Sequence, residues 1–415
     1  MHSRILRLTV CNGFIKKSAF TNCAADAASG ANDTTVVTSV NPYTKEKFQL
    51  NLHSKKANSY GLHNFFPLPK EAIEGLKLAI ITCSRNSKQL QHEADQLSTT
   101  LSQRKFPAPH QVIEQARIEI QKKLKNDDSF TYDDRFSEKI NEAKQYEARR
   151  KVGKYLRQCF FNWKPLTFET RENAAVYFLS RFHNNYAEVL RVLQEFRRVN
   201  FVPKTVLDYG SGTCSVFWAA NEMWGSKVEE YQCIDPCDEM NKFAMDVLRG
   251  SNNDGSSVFV HPNINFRRYL PPSLDHKYDL IVAHRVFVEL ASHDSRIDLL
   301  SALWARTNRY LVLIDSSGKE AFDALISLRD YIIEAGYEIH ANELRELLSK
   351  EGLLDDELKK IIDDRSLSEF ERYYLLREKI PKNLALPTRI ELGHTFAPCP
   401  HDQGCPKIVS KLHKF

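Results

Sequence analysis

A parallel, doubly wound α/β sheet preceded by an all-helical segment is the fold this sequence predicts. Three observations carry the prediction. From Thr205 onward, short β-branched or aromatic runs alternate with helical stretches of about 10–15 residues, the pattern of repeated strand–helix units. The first of these runs, TVLDY at 205–209, enters a glycine loop that opens a helix. Before Pro203 the apolar residues recur at helical spacing, with no strand alternation.

The chain has 415 residues, enough for two domains of ordinary size, and 42% of them are hydrophobic. No stretch of about 18 uninterrupted apolar residues occurs, so no membrane insertion is expected. The net charge of +5 permits an anionic partner without demanding one. Nine cysteines are too few and too scattered for a disulfide scaffold, and no secretory signal is visible; reduced thiols or metal ligands are expected.

In chain order, Arg4, Arg7, Lys16 and Lys17 occur in an acid-free, loosely amphipathic start that reads as a mitochondrial transit peptide. With the Ala, Asn, Ser and Thr-rich stretch after it, this makes residues 1–60 a leader. Residues 61–200 form the helical N-terminal domain. Its apolar ridges include Ala72, Ile73, Leu76, Ile80 and Cys83, then Val112, Ile113, Ala116, Ile120 and Leu124, with further helices over 142–160 and 171–198. Residues 201–337 hold strands over 205–209, 228–235, 258–266, 278–286 and 309–315 with helices between them. Residues 338–388 are charged and helical, with Leu344, Leu347, Leu348, Leu358, Ile361 and Ile362 apolar, and read as an insertion. A sixth strand, RIELGHTF at 389–396, and a cysteine loop fill 389–415.

The glycine loop carries the chemistry. In VLDYGSGTCSVFWAA (206–220) a strand passes through Gly210 and Gly212 into a helix, so backbone amides and a helix start face one spot. Asp235 closes the next strand, 27 positions after Asp208, where an acid can hydrogen-bond ribose hydroxyls. A dinucleotide site needs glycine where this chain has Ser215. Asp208-x-Gly210-x-Gly212 resembles instead the first motif of S-adenosylmethionine-dependent methyltransferases. Cofactor binding is thus expected at Asp208, Gly210, Gly212 and Asp235 of a class I methyltransferase fold. Cys214 stands where that motif often has a third glycine, and is expected to pack there while narrowing the cofactor's approach.

An acceptor site is harder to find. After the fourth strand the chain reads Ala283-His284-Arg285-Val286-Phe287, without the Asn/Asp-Pro-Pro-Tyr/Phe loop of amino-methylating enzymes. His284 is a candidate base and Arg285 a candidate phosphate holder, with a structural role at the pocket mouth the plainer expectation for both; Glu289 reads as a rim acid. No catalytic group is assigned. Upstream, Arg149, Arg150, Lys151, Lys154 and Arg157 surround Tyr155, a basic and aromatic tract suited to a phosphate backbone with exposed bases. A solvated helix face is the other reading of the same tract.

Near the end, APCPHDQGCP places Cys399 and Cys405 in a Pro-rich loop with His401 and Asp402 between them. The Cys-x5-Cys spacing is loose for a zinc knuckle, whose ligands stand about two to four residues apart. His401 and Asp402 read as loop-shaping groups.

Taken together, PKTVLDYGSGTCSVFWAANEMWG, EEYQCIDPCDEM, AAVYFLSRFHNNYAEVLRVLQEF (174–196), YDLIVAHRVFVEL, LVLIDSSGKEAF and APCPHDQGCP resemble the methyltransferase-like protein 17 family of mitochondria, from about residue 66 to the end. The resemblance implies a mitochondrial matrix factor that binds the small ribosomal subunit and its rRNA during assembly and supports mitochondrial translation. It implies S-adenosylmethionine binding, with methyl transfer to rRNA as the alternative activity. It also implies a 4Fe-4S cluster whose first two ligands match Cys399 and Cys405. His413 stands where the family has its third cysteine, and the fourth, with the sheet's last strand, would lie beyond Phe415. A chain cut short by truncation or a misplaced exon boundary is the expected explanation; a member that lost the cluster is the other.

Overall fold

The computed structural model describes residues 66–103, 166–249, 259–290, 292–316, 318–398, 400 and 402, the backbone of strands at 6–12, 37–40 and 47–50, and scattered helical residues between 114 and 154. The helical tracts expected over 112–124 and 142–160 lie largely outside the described residues.

Two helices, α1 (Lys70–Ile81) and α2 (Ser87–Gln103), precede the long helix α3 (Arg171–Leu193). Thr170 caps α3 by accepting from the Asn173 N–H, which satisfies one of the otherwise orphaned first-turn donors. The face of α1 that packs inward is Ala72, Gly75 and Ala79, and the exposed Ile73 is not part of it. These small side chains let α1 lie so close to α5 (Asp238–Arg249) that a Cβ on Gly75 would meet the Val247 carbonyl oxygen.

The sheet strands are β4 (Thr205–Tyr209), β5 (Glu230–Ile234), β6 (Ile264–Arg267), β7 (Tyr278–His284), β8 (Thr307–Asp315) and β9 (Gly393–Ala397), joined by β1 (Leu6–Asn12). Their order is β6-β5-β4-β7-β8-β1-β9, with every pairing parallel. A separate antiparallel hairpin joins β2 (Val37–Val40) to β3 (Lys47–Leu50). From β4 the chain winds outward through β5 and β6, then crosses back to β7 and β8. That reversal is the switch point of a class I methyltransferase fold, and it opens a crevice at the carboxyl ends of β4 and β7.

Alternation along the central strands splits the core into two layers. Val206, Leu280, Val282, Tyr310 and Val312 face the layer containing α1–α3, α4 (Ser215–Trp224) and α5. Leu207, Ile281, Ala283, Leu311 and Leu313 face α6 (His293–Ala305) and α7 (Lys319–Tyr337). The 338–388 segment folds into α8 (Ala341–Lys350), α9 (Asp356–Asp363) and α10 (Glu369–Lys379). They close a small third core around Leu344, Leu348, Leu358 and Ile362.

Three strand readings are corrected. The third strand is Ile264–Arg267, not the longer run from 258, because Pro262 lacks a ladder N–H and the buried His261 ring bonds the Val228 carbonyl instead. The fourth ends at His284, because Arg285 turns to a positive φ of 57°. The sixth begins only at Gly393, where a side chain would collide with the Trp304 ring. The sheet position beyond the fifth parallel strand, expected to lack its strand, is held by Leu6–Asn12, a segment of the expected leader lying between β8 and β9.

Candidate functional site

The crevice at the switch point is floored by the glycine loop. The Gly210 and Ser211 amides both donate to the Ile234 carbonyl on β5, at 2.8 and 3.0 Å. The Gly212 amide donates to Asp235 Oδ2 at 3.0 Å, and the Cys237 amide donates to Oδ1 at 2.9 Å. Asp235 therefore clamps the loop with both oxygens while keeping further lone pairs for a ligand hydroxyl. Burial pushes its carboxyl above the usual carboxylate range, although the two amides pull it back.

Gly210 adopts φ +71°, and a Cβ there would sit 2.5 Å from Val286 Cγ2. Gly212, at φ +48°, has no such neighbour: its nearest contacts would be at 3.9 Å, one of them the Tyr177 ring. Cys214 shares the left-handed conformation at φ 57°, which is why glycine is favoured at this place in the motif. Its side chain is fully buried and lies 3.9 Å from the Cys233 sulfur, so the expected narrowing of the cofactor's approach is corrected: the thiol packs behind the loop. That sulfur contact and burial raise the thiol well above its ordinary value, and it is no nucleophile at neutral pH.

Asp208, next to the end of β4, is almost fully buried, and neither carboxyl oxygen has a hydrogen-bond partner. Burial, with the Asp235 charge added, holds it well above the usual carboxylate range. Across the crevice lies a face of α3 that the sequence reading assigned no role. Tyr177, Arg181, Asn185 and Glu188 follow each other at helical spacing, and Tyr177 and Asn185 line the same enclosed space as Asp208. Asn185 is 4% exposed and its Oδ1 has no partner. The i, i+4 spacing of Tyr177, Arg181 and Asn185 was the available signal, in a helix that carries other polar residues as well.

The remaining wall is β7. His284 lines the space, and its Nε2–H donates to Glu188 Oε2 at 3.0 Å. The Arg285 guanidinium forks onto the same carboxylate, with Nη2 2.7 Å from Oε1 and Nε 3.2 Å from Oε2. Burial opposes ionisation of Glu188, but the His284 bond and the Arg285 charge outweigh it and bring the carboxyl down to about 2. Burial holds the His284 ring below its ordinary value despite Glu188, so the imidazole is neutral at physiological pH. Arg285, a candidate phosphate holder, thus spends its Nε and Nη2 donors on Glu188, and His284, a candidate base, spends its Nε2–H there while Nδ1 keeps the ring's lone pair. Glu289 lies in the short 3₁₀ turn Phe287–Glu289 that follows, close to Asp315 of β8.

The residues fit the polar end of the expected cofactor. Asp208 offers carboxyl oxygens without a partner, Gly212 leaves room above the loop, and Asp235 retains acceptor capacity for ribose hydroxyls. The enclosed part of the crevice measures about 20 Å³, room for one water-sized group. The iron–sulfur expectation concerns Cys399 and Cys405. Cys399, Cys405 and His401 lie outside the described residues, and two thiolates are half of the four that such clusters usually take. Asp402 is described, and it accepts from His394 Nδ1 at 2.6 Å and the Thr395 amide at 2.8 Å. It shapes the loop onto β9, as expected. Among the described residues no group of three or more His, Cys, Asp or Glu side chains converges on a metal-sized site. No described helix is long and apolar enough to cross a membrane.

Residues 171–343 match the family described as mitochondrial small ribosomal subunit Rsm22. The human ribosome assembly protein METTL17, mitochondrial, is 26% identical over 351 residues. The match takes in 84% of this chain, and the chain spans 63% of that relative's length. Among solved structures, the plantazolicin methyltransferase BpumL with a substrate analogue and SAH aligns at a TM-score of 0.24 and 15% identity, over 65% of this chain and 77% of its own. The 16S rRNA methylase RmtB aligns at 0.24 and 13%, over 60% and 84%. A sarcosine dimethylglycine methyltransferase-like protein of Galdieria sulphuraria aligns at 0.26 and 13%, over 55% and 93%. At those TM-scores the fold rests on the sheet order and not on these neighbours. The matched family region spans α3, the glycine loop and all five central strands, and this chain is similar there to the Rsm22 family and over most of its length to human METTL17.

Proposed function

We propose that this chain is a mitochondrial small ribosomal subunit assembly factor of the matrix, a methyltransferase-like scaffold that binds the subunit and its rRNA and holds S-adenosylmethionine without transferring its methyl group. One observation carries the scaffold reading. The place after β7, where an acceptor atom would be positioned, is tied to α3 by the buried Glu188–His284–Arg285 network. Glu188 fixes the His284 ring and the Arg285 guanidinium as a tie between β7 and α3, and a His284 base would have to act through Nδ1, the ring nitrogen that does not bond Glu188.

When bound, S-adenosylmethionine supplies an electrophilic methyl group; this chain's residues would hold and orient it. Asp208 would carry its charged end, Gly210 and Gly212 would let the backbone approach, and Asp235 would accept from the ribose. Support for rRNA binding comes from the exposed Arg149, Arg150, Lys151 and Lys154 on helical residues. The names of the human relative and of the matched family support the ribosomal partner and the mitochondrial setting. Cys399 and Cys405 belong in this reading to a 4Fe-4S cluster, which anaerobic purification with iron and acid-labile sulfide analysis tests.

The deciding experiment pairs labelled methyl transfer to small-subunit rRNA with complementation of assembly, using wild type and Gly210→Arg. Assembly rescued by the variant, with no transfer by either protein, is the expected result. Transfer by the wild type that vanishes in the variant overturns the scaffold reading and favours an rRNA methyltransferase.

A further inference from the structure

We propose that Arg197 and Arg309, at the amino ends of the sheet strands and on the edge opposite the crevice, hold the phosphate backbone of RNA. The proposal rests on the RNA-binding part of the reading above and gives that contact a place on the fold.

A packed aromatic base brings the two arginines to one surface. After α3 the chain makes a 3₁₀ turn, Gln194–Val199, that stops at Asn200, whose left-handed φ of 49° lets its amide donate to the Arg197 carbonyl. The turn buries Phe196 and Phe201 with their ring centroids 5.2 Å apart. Both rings pack on Tyr310 of β8, at 4.8 and 4.6 Å. Arg197 follows the first of these rings and Arg309 precedes Tyr310, and both arginines are exposed. The Arg309 guanidinium lies 5.0 Å from the Phe201 ring centroid. That contact holds the cation by its face and leaves its in-plane N–H donors for a ligand.

The acids at this edge are already engaged. Glu195 pairs with Arg191 at 2.9 Å and with Arg198 at 3.4 Å, and Glu229 pairs with Lys204 at 2.9 Å. Asp279 accepts from the Lys204 amide at 2.9 Å and from the Asn308 side chain at 2.7 Å. Among the described residues neither Arg197 nor Arg309 has an ion-pair partner. A planar guanidinium with a free fork matches a phosphate, and backbone contacts of this kind need no base sequence. Val199 and Val202, each 40% exposed, flank the pair. Single exposed apolar side chains are ordinary, so the charge decides the partner.

The place of this surface matters. Arg309 stands six positions before Asp315, where β8 ends on the crevice side, so the two are about 20 Å apart at about 3.3 Å per residue. RNA held here lies a strand's length from the glycine loop, and its binding is indifferent to what the crevice contains. That separation accords with a scaffold that holds RNA and cofactor without bringing them together.

The test is filter binding of oligouridylate to the full chain over a salt series, with wild type, Arg197→Gln/Arg309→Gln and Arg197→Lys/Arg309→Lys. The Gln pair is expected to weaken binding at least about tenfold and to flatten the log–log salt slope by about 1.4, about 0.7 for each lost phosphate contact. The Lys pair keeps both charges and should stay within about threefold of wild type. In the wild type, phenylglyoxal modification mapped by mass spectrometry should show Arg197 and Arg309 protected by oligouridylate and not by S-adenosylhomocysteine; this measurement needs no variant. An unchanged affinity and slope in the Gln pair, or no protection of either arginine, overturns the surface and leaves RNA binding elsewhere on the chain standing. Loss of subunit association by the Gln pair with oligouridylate binding intact also overturns it, and assigns the edge to a protein. Failure of the wild type to bind oligouridylate overturns both this surface and the RNA-binding reading.

Discussion

Replacing Glu188 by Gln removes the charge on which His284 and Arg285 converge while keeping the side chain's shape. A carboxyl held at about 2 against an ordinary 4.5 contributes on the order of 3 kcal/mol to the folded state at neutral pH, at about 1.36 kcal/mol per tenfold of proton affinity. The Glu188 side chain is 13% exposed, so solvent screens little of this. The value agrees with the roughly 3–5 kcal/mol lost when one partner of a buried ion pair is removed. Urea unfolding followed by tryptophan fluorescence measures it. The sign follows from the depressed value: the contribution is present above the unfolded carboxyl's 4.5 and is lost as pH falls toward 2. Wild type and Glu188→Gln should therefore differ by a constant amount from pH 7 down to about 5, and the gap should close below about 4.5. A difference under about 1 kcal/mol at pH 7, or one that persists unchanged into acid, would refute the claim that this carboxylate locks β7 to α3.

Other perturbations read different parts of the fold. Gly210→Ala should cost about 2–3 kcal/mol, combining a left-handed backbone with a collision against the stiff Val286 side chain, whereas Gly212→Ala should cost only about 1 kcal/mol of backbone strain; equal losses by denaturation would contradict the loop geometry. Gly75→Ala should lower stability by about 2 kcal/mol or more, because α1 must lift from the Val247 carbonyl; an unchanged unfolding midpoint would mean that α1 does not dock on α5. Replacing Arg149, Arg150, Lys151 and Lys154 by Ala should weaken rRNA binding and flatten the log–log salt dependence by about 0.7 per lost phosphate contact on single strands. An unchanged slope in a filter-binding titration would assign that tract to an idle solvated face.

Much of the sheet was legible because its signals are local. Each central strand is a short apolar run between breakers, and the glycine loop sits between a strand and a helix start, so Asp208, Gly210, Gly212 and Asp235 could be named from spacing. Where strand ends were misjudged, the cause was a contact with another element or a single backbone conformation: Pro262 with the buried His261, Arg285 at positive φ, and Gly393 against Trp304.

By itself the sequence determined the alternation of strands and helices, the glycine motif and the family resemblance, since all three are written in neighbouring residues. Tertiary structure alone decided that Tyr177, Asn185 and Glu188 meet Asp208, His284 and Arg285. Glu188 lies 96 and 97 positions from His284 and Arg285, and nothing in a helical polar stripe says what it will face. Tertiary structure also decided that Cys214 turns away from the crevice and that Leu6–Asn12 enters the sheet between β8 and β9. Pairing across a sheet and packing across a crevice are long-range choices, fixed by which surfaces remain uncovered once the local elements have formed.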